Sequence, residues 1–333
     1  MQIDNASILI TGGTGSFGSH FVRHILTHHN PHKIVIYSRD EYKQYQMQHQ
    51  LREQASKLRF FIGDVRDKER LYRAFDGIDL VIHAAALKHV PLMEYNPIEA
   101  VKTNIQGAEN IVDAAIDRNV QRVIALSTDK ACNPVNLYGA TKLVSDKLFV
   151  AANAYTGNKR TRFSVVRYGN VAGSRGSVIP YFRQLLQQGV QVFPITDLRM
   201  TRFWISLDEA VRLVLKAVDD SRGGEIYVSK IPSFKVTDLA EAMLPGVQLK
   251  EVGIRPGEKL HEAMITETDS LNAYEYEREY IIYPNLDWWS VKRDLQTGGK
   301  KVPEGFFYTS NQNSDWLSSA QLQNLIQQMP LIV

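Results

Sequence analysis

The chain opens with short β-branched apolar runs set between longer stretches of mixed polarity. Ser7–Thr11 (SILIT), Lys33–Tyr37 (KIVIY), Leu58–Ile62 (LRFFI), Asp79–Ala84 (DLVIHA) and Arg122–Ser127 (RVIALS) are near-continuous rather than alternating. That pattern belongs to strands buried on both faces, as in a parallel sheet. Arg162–Tyr168 (RFSVVRY) reads as a sixth strand. Helical patterns such as Ile98–Asn119 and Lys142–Ala154 lie between these runs. Strand and helix in alternation predict an α/β protein with a Rossmann-type, doubly wound parallel sheet.

After about Gly169 the rhythm breaks. Gly and Pro are scattered, as in GNVAGSRGSVIP and IRPGEK, and the elements shorten. Helices are expected near Asp208–Val218 and Thr237–Met243. The division that follows is a Rossmann domain over residues 1–170 and, over 171–333, mainly a smaller mixed substrate-binding lobe, with interleaving of the two left open. The segment Trp288–Val333 is polar with scattered apolar anchors and has no readable period.

Composition narrows the classes. Hydrophobic residues make up 44% of the 333 and charged residues 23%, ordinary values for a globular protein. A net charge of +3 gives no nucleic-acid footprint. The single cysteine, Cys132, has no partner for an intramolecular disulfide or a cysteine zinc site and reads as a packing residue. The nine histidines show no metal-ligand spacing. No run approaches the ~18 apolar residues of a membrane span. The opening MQIDNASILITGG has no basic leader, so a cytoplasmic protein without membrane partners is expected.

Chemistry enters at the first strand–helix junction. Thr11-Gly12-Gly13-Thr14-Gly15-Ser16-Phe17-Gly18 spaces its glycines at Gly12, Gly15 and Gly18. Glycines there make a tight turn and let backbone approach a pyrophosphate, while the helix N-terminus supplies N–H groups and partial positive charge. The second strand ends in Ser38-Arg39-Asp40-Glu41. An acidic residue at this tip favours the ribose hydroxyls of NAD, and an Arg favours the extra phosphate of NADP. Arg39, with Ser38 and Lys43, points to NADP; Asp40 pulls the other way. Asp64-Val65 after the third strand is a candidate adenine contact, and Ala84-Ala85-Ala86 supplies small residues where backbone passes the cofactor. His83 reads as a packed or hydrogen-bonded histidine.

Tyr138-Gly139-Ala140-Thr141-Lys142 places Tyr and Lys four apart, on one helix face. A neighbouring ammonium lowers a phenol from ~10 towards neutrality, so that the tyrosinate takes a hydroxyl proton as hydride leaves the same carbon. Upstream, the fifth strand ends in Ser127-Thr128-Asp129-Lys130, which sets a hydroxyl, a carboxylate and an amine where a central strand faces the crevice.

These motifs, with Arg167-Tyr168-Gly169-Asn170-Val171, resemble extended short-chain dehydrogenases/reductases acting on nucleotide sugars. More narrowly, GGTGSFG, YSRDE, FFIGDVRD, HAAALKHVP, KTNIQGA, LSTDKA, NPVNLYGATK, RYGNVAGSRGSVIP, ITDLRMTRFW and IRPGEKLHE are similar to the inverting UDP-N-acetylglucosamine 4,6-dehydratases, of the type that begins pseudaminic acid synthesis. Thr128-Asp129-Lys130 stands where retaining relatives carry Thr-Asp-Glu. Tyr138 stands where some capsule-pathway relatives carry Met.

The resemblance implies NADP, the substrate UDP-N-acetylglucosamine, a homo-oligomer and a redox-neutral sequence. In it Tyr138 takes the C4 hydroxyl proton, Lys142 holds the cofactor ribose, Thr128 donates to the C4 oxygen, Lys130 removes the C5 proton and Asp129 protonates the departing C6 hydroxyl. A lysine base wants a pKa near ~7–8. Asp129 would raise that of Lys130, with burial, aided by Lys142, as the expected counterweight. For the substrate, Arg202 and Arg255 are diphosphate candidates, Glu258 a ribose acceptor, and Asn170, Lys88 and Val178 sugar-side candidates; Lys88 also borders the cofactor. Arg175, Lys259 and His261 are weaker ones. Competing functions are a nucleotide-sugar 4-epimerase, an NADP-dependent reductase and a catalytically silent NADP-binding protein. None of these needs Tyr138, Lys142, Asp129 and Lys130 together.

Overall fold

The computed structural model describes residues 1–174, 177–286 and 298–329. The β-branched runs form strands β1 (Ser7–Thr11), β2 (Lys33–Ser38), β3 (Leu58–Ile62), β4 (Leu80–His83), β5 (Arg122–Leu126) and β6 (Arg162–Arg167). They lie in the order β3-β2-β1-β4-β5-β6, all parallel. The order reverses between β1 and β4, the switch point where a doubly wound sheet opens a crevice at its carboxyl edge. Ile8, Leu9 and Ile10 have no exposure, and neither have Ile34 and Ile36, so β1 and β2 are covered on both faces, while the edge strand β3 leaves Arg59 and Ile62 exposed.

The helical stretch foreseen over Ile98–Asn119 is helix Pro97–Val101, a π-helical turn Lys102–Gln106 and helix Gly107–Asp117. The π turn holds buried Asn104. Its amide donates to Leu87 O (2.9 Å) and Thr141 Oγ1 (3.0 Å), and its Oδ1 accepts from Leu87 N (2.9 Å). It thus ties the loop after β4 to the helix that carries Tyr138 and Lys142.

Past Gly169 the chain serves two layers. Ile226–Ser229 pairs parallel to β6. Glu279–Ile282, Ala273–Glu275 and Lys300–Lys301 extend the same sheet by successive antiparallel pairings. Helix Leu207–Asp220, opened by a Ser206–Glu209 capping box, packs Val211, Val214 and Val218 into the main core. The second layer is a lobe with its own core, centred on Ile179, Phe182, Phe193, Trp204, Phe234 and Leu239. Three two-stranded pieces frame it: Thr201–Phe203 with Ser233–Lys235, Val192–Ile195 with Gln248–Glu251, and Ala263–Ile265 with Tyr308–Thr309. In the C-terminal segment, helix Ser319–Gln328 anchors to this core by the fully buried Leu322. Residues 287–297 and 330–333 of that segment lie outside the described residues.

Candidate active site

A single cleft of about 1290 Å³ runs from the glycine turn to the lobe. That exceeds the ordinary 300–1,000 Å³ of one small-molecule site. It leaves room for a dinucleotide and a second ligand.

At one end stands helix Ser16–His28, capped by Gly15 with no side-chain cap and no acidic residue in its first turn. Its N–H groups therefore keep their capacity for an anion. The surrounding glycines are required by contact. A Cβ on Gly18 would sit 2.5 Å from Gly12 O, and one on Gly12 2.9 Å from Ala85 N. A Cβ on Gly15 would meet only Gly12 O, at 3.1 Å, and otherwise stand in open space. Thr14, Ser16, Phe17, Val65, Ala84 and Ala86 line this end. Thr11 Oγ1 lies 2.9 Å from His83 Nδ1, and burial pushes the His83 imidazole down to about 3; it is a neutral, packed histidine.

The tip of β2 separates two residues that the sequence left in competition. Asp40 turns its carboxylate onto helix Glu41–Gln50, accepting from Lys43 N (3.0 Å) and pairing with Lys43 Nζ (2.6 Å). It acts as an N-cap. The Ser38 hydroxyl accepts from buried Gln44 (3.0 Å). Arg39 is half exposed and lines the cleft, 3.5 Å from Asp64 Oδ2. Asp64 itself is not the free acceptor expected of an adenine contact: its oxygens already accept from Arg66 N, Nε and Nη2. Burial acts to raise the Asp64 carboxyl, but these bonds and Arg39 carry it below its usual range.

At the other end, Thr128, Asp129 and Lys130 form a tight turn after β5, and Asn136 caps the helix Leu137–Ala152 that carries Tyr138 and Lys142. A Cβ on Gly139 would lie 2.1 Å from Lys130 O, so this glycine lets the helix sit directly on the turn. The Thr128 hydroxyl donates to Asp129 Oδ1 (2.8 Å) and lines the cleft with Tyr138. Burial pushes the Tyr138 phenol up to about 12; the opposing influences are Lys130 and the Thr128 hydrogen bond. Of the charges around Tyr138, Lys130 does most to oppose that rise. Lys142 is 3% exposed, and burial drives its ammonium down against the pull of Asp146. Ser127 donates to Asp146 (2.7 Å) and supports the same network.

Lys130 departs furthest from expectation. Burial does pull its ammonium down, but Asp129 and Glu262 outweigh it and hold Lys130 above the ordinary lysine value. The leading opposing cation is Arg202. Asp129 has no exposure, and burial lifts its carboxyl above the usual range. Glu262 escaped the sequence reading. It ends the charged stretch IRPGEKLHE, where a carboxylate reads as surface, yet it is 2% exposed with Oε1 3.3 Å from Lys130 Nζ. The one available signal was its position at the start of the apolar strand Ala263–Ile265.

The proposed substrate cations are already engaged. Arg202 is 8% exposed and donates to the carbonyls of Thr201, Leu260 and Lys259. Arg255 forms a two-pronged pair with Glu258 (3.1 and 3.2 Å) at the cleft mouth. Asn170 Oδ1 accepts from Lys130 Nζ (3.1 Å), and Lys88 and Val178 line the wall. Burial, then the charge on Lys130, pushes Lys88 down. Lys259 donates to Cys132 O (2.6 Å), and His261 Nδ1 lies 2.8 Å from Thr201 Oγ1. Arg175 lies outside the described residues. Among the described residues no cluster of His, Cys, Asp and Glu could hold a metal.

Comparison with known proteins gives a consistent picture. The family model described as "Polysaccharide biosynthesis protein" matches residues 8–284. A UDP-N-acetylglucosamine 4,6-dehydratase (inverting) of Campylobacter jejuni is 55% identical over 330 residues, covering 98% of each chain. A UDP-glucose 4-epimerase of Rickettsia prowazekii is 40% identical, covering 96% of this chain and 95% of that one. A dTDP-glucose 4,6-dehydratase of Streptomyces venezuelae, solved with NAD bound, superposes with a TM-score of 0.67 at 25% identity, covering 76% of this chain and 86% of that one.

Proposed function

This chain belongs to the polysaccharide biosynthesis protein family, and from that premise we propose that it is a UDP-N-acetylglucosamine 4,6-dehydratase that inverts C5. The reading makes it an NADP-dependent hydro-lyase yielding a 2-acetamido-2,6-dideoxy-4-keto sugar of L-arabino configuration. The observation that carries it is the meeting of Thr128, Lys130 and Tyr138 in one cleft, with the buried Asp129 bonded to Thr128 and Lys130.

The glycine turn, the uncapped helix and the small residues Ala84–Ala86 suit a nicotinamide dinucleotide, with Lys142 on its ribose. Bound there, the nicotinamide supplies hydride acceptance from C4 and hydride return to C6. Tyr138 takes the C4 hydroxyl proton, and Thr128 turns its hydroxyl from Asp129 to donate to the C4 oxygen. The resulting ketone acidifies C5–H, which Lys130 removes. Asp129, whose carboxyl burial lifts above its usual range, is the acid for the leaving C6 hydroxyl, and water departs. Reprotonation at C5 from the opposite face gives inversion. Preference for NADP rests on Arg39 and Lys43 beside a β2 tip whose acidic residue is turned into a helix cap. The same likeness supports a cytoplasmic homo-oligomer making a surface sugar of the pseudaminic acid type.

The rickettsial relative favours a second reading, a 4-epimerase. An epimerase needs Tyr138 but gives Asp129 and Lys130 nothing to do. The test is incubation with UDP-N-acetylglucosamine in deuterated water without added NADPH, followed by NMR. A 6-deoxy-4-keto product with deuterium at an inverted C5 is expected. A 4-epimer without C5 exchange would replace the dehydratase by the epimerase.

A further inference from the structure

Three acceptors hold Lys130 at once. Asp129 Oδ1 lies 3.2 Å, Asn170 Oδ1 3.1 Å and Glu262 Oε1 3.3 Å from its Nζ. An ammonium has three N–H bonds and no lone pair. In this arrangement Asp129 and Asn170 each accept one of those bonds, and Glu262 adds an ion pair on the same nitrogen. Asp129 belongs to the same turn, and Asn170 follows β6 of the same sheet. Glu262 alone arrives from the lobe. Its backbone is fixed on both sides by Ser310, as Glu262 N donates to Ser310 Oγ (3.0 Å) and Ser310 N donates to Glu262 O (2.8 Å).

An ionised carboxylate in such a place needs compensation, because its desolvation costs several kcal/mol. Glu262 Oε2 is buried and has no hydrogen-bond partner among the described residues. What offsets the cost is cationic: Lys130, Arg202 Nε at 3.8 Å, and Lys259 further off. Glu262 still borders the cleft.

We propose that Glu262 is a positioning residue for the C5 proton transfer: a fixed lobe charge that aims Lys130 Nζ and sets the charge it carries before the sugar arrives. The inference rests on the dehydratase reading. Asp129 and Glu262 favour the ammonium form of Lys130; burial, Arg202 and Lys88 oppose it, and Tyr138 adjoins it. Removing the Glu262 charge must therefore let Lys130 lose its proton at lower pH.

The experiment is the pH–rate profile of C5 deuterium incorporation from UDP-N-acetylglucosamine for wild type, E262Q and E262D, with thermal melting and NADP binding measured on each. The wild-type rate should rise with pH as Lys130 becomes neutral. In E262Q that rise should move down by about one pH unit, with a lower plateau and KM within roughly threefold. E262D keeps the charge and should keep the wild-type midpoint. An E262Q profile scaled down but unmoved would overturn the proposal, as would an E262D profile shifted like that of E262Q. Should E262Q not fold, the Lys130 Cε shift of the wild type is titrated instead. A midpoint above the ordinary ~10.4 supports the proposal and one at or below it overturns it. A wild type that incorporates no deuterium defeats the dehydratase reading and takes this inference with it, whereas an active wild type with an unmoved E262Q profile defeats the inference alone.

Discussion

At the glycine turn the chain presents a helix end without a side-chain cap, whereas at the far end of the same cleft nearly every charge already holds another. A ligand arriving at the first end adds bonds. A ligand arriving at the second must exchange them, since Arg255 leaves Glu258 and Lys130 is held by Asp129, Asn170 and Glu262. Adding partners to open donors favours affinity. Exchanging partners contributes little net affinity but a large change in which groups carry protons. The contrast suits a permanent cofactor at one end and a transient sugar at the other.

The sharpest break of this contrast is Y138F. It removes the phenol oxygen to which the proposed mechanism assigns the C4 hydroxyl proton, without touching the glycine turn. The turnover rate should fall by roughly 10³-fold while NADP affinity, read by fluorescence titration, stays within about twofold. A matching loss of affinity would show that the two ends are not separable. Next in size is R39A. Arg39 has only a 3.5 Å ion pair to Asp64, so it is available to a phosphate. NADP should bind roughly 10- to 100-fold more weakly, with NAD little changed; equal losses for both would remove the NADP preference. The smallest effect belongs to R255A. Its guanidinium only changes partners, so KM for the sugar nucleotide should rise by about fivefold or less. A rise of a hundredfold would mean the mouth holds its charges as openly as the glycine turn does.

The legibility of the chain divides along a related line. β1 and β3 were readable to the residue, and β2, β4, β5 and β6 within a residue or two at their ends, because a strand buried on both faces has to be apolar throughout. The helix Leu137–Ala152 began five residues before the predicted Lys142, since its start is set by the Asn136 cap rather than by period. Ile226–Ser229 and Glu279–Ile282 were missed as members of the main sheet. Each is four residues long, too short for a period to show, and their pairing is a long-range choice. In the site, the glycine turn, Thr128-Asp129-Lys130 and Tyr138-x-x-x-Lys142 were visible because their chemistry depends on local spacing. Glu262 was not, because its meaning comes from Lys130, far away in the chain. The direction of Lys130 stayed open in the sequence for the same reason: Asp129, burial and Lys142 were weighed there, and the second carboxylate was out of sight.

After β6 the polypeptide passes repeatedly between sheet and lobe, giving Thr201–Phe203 to one and Leu207–Asp220 to the other, then Ser233–Lys235 out and Ala273–Glu275 back. The two walls of the cleft are laced together by many strands of chain rather than joined at one seam. Neither wall is a transferable module. A lobe cut out at any single pair of positions would carry part of the sheet with it, and a chimera with a different lobe would have to exchange several separated segments together. New sugar specificities on this scaffold are thus open to change residue by residue along the cleft, and closed to wholesale shuffling.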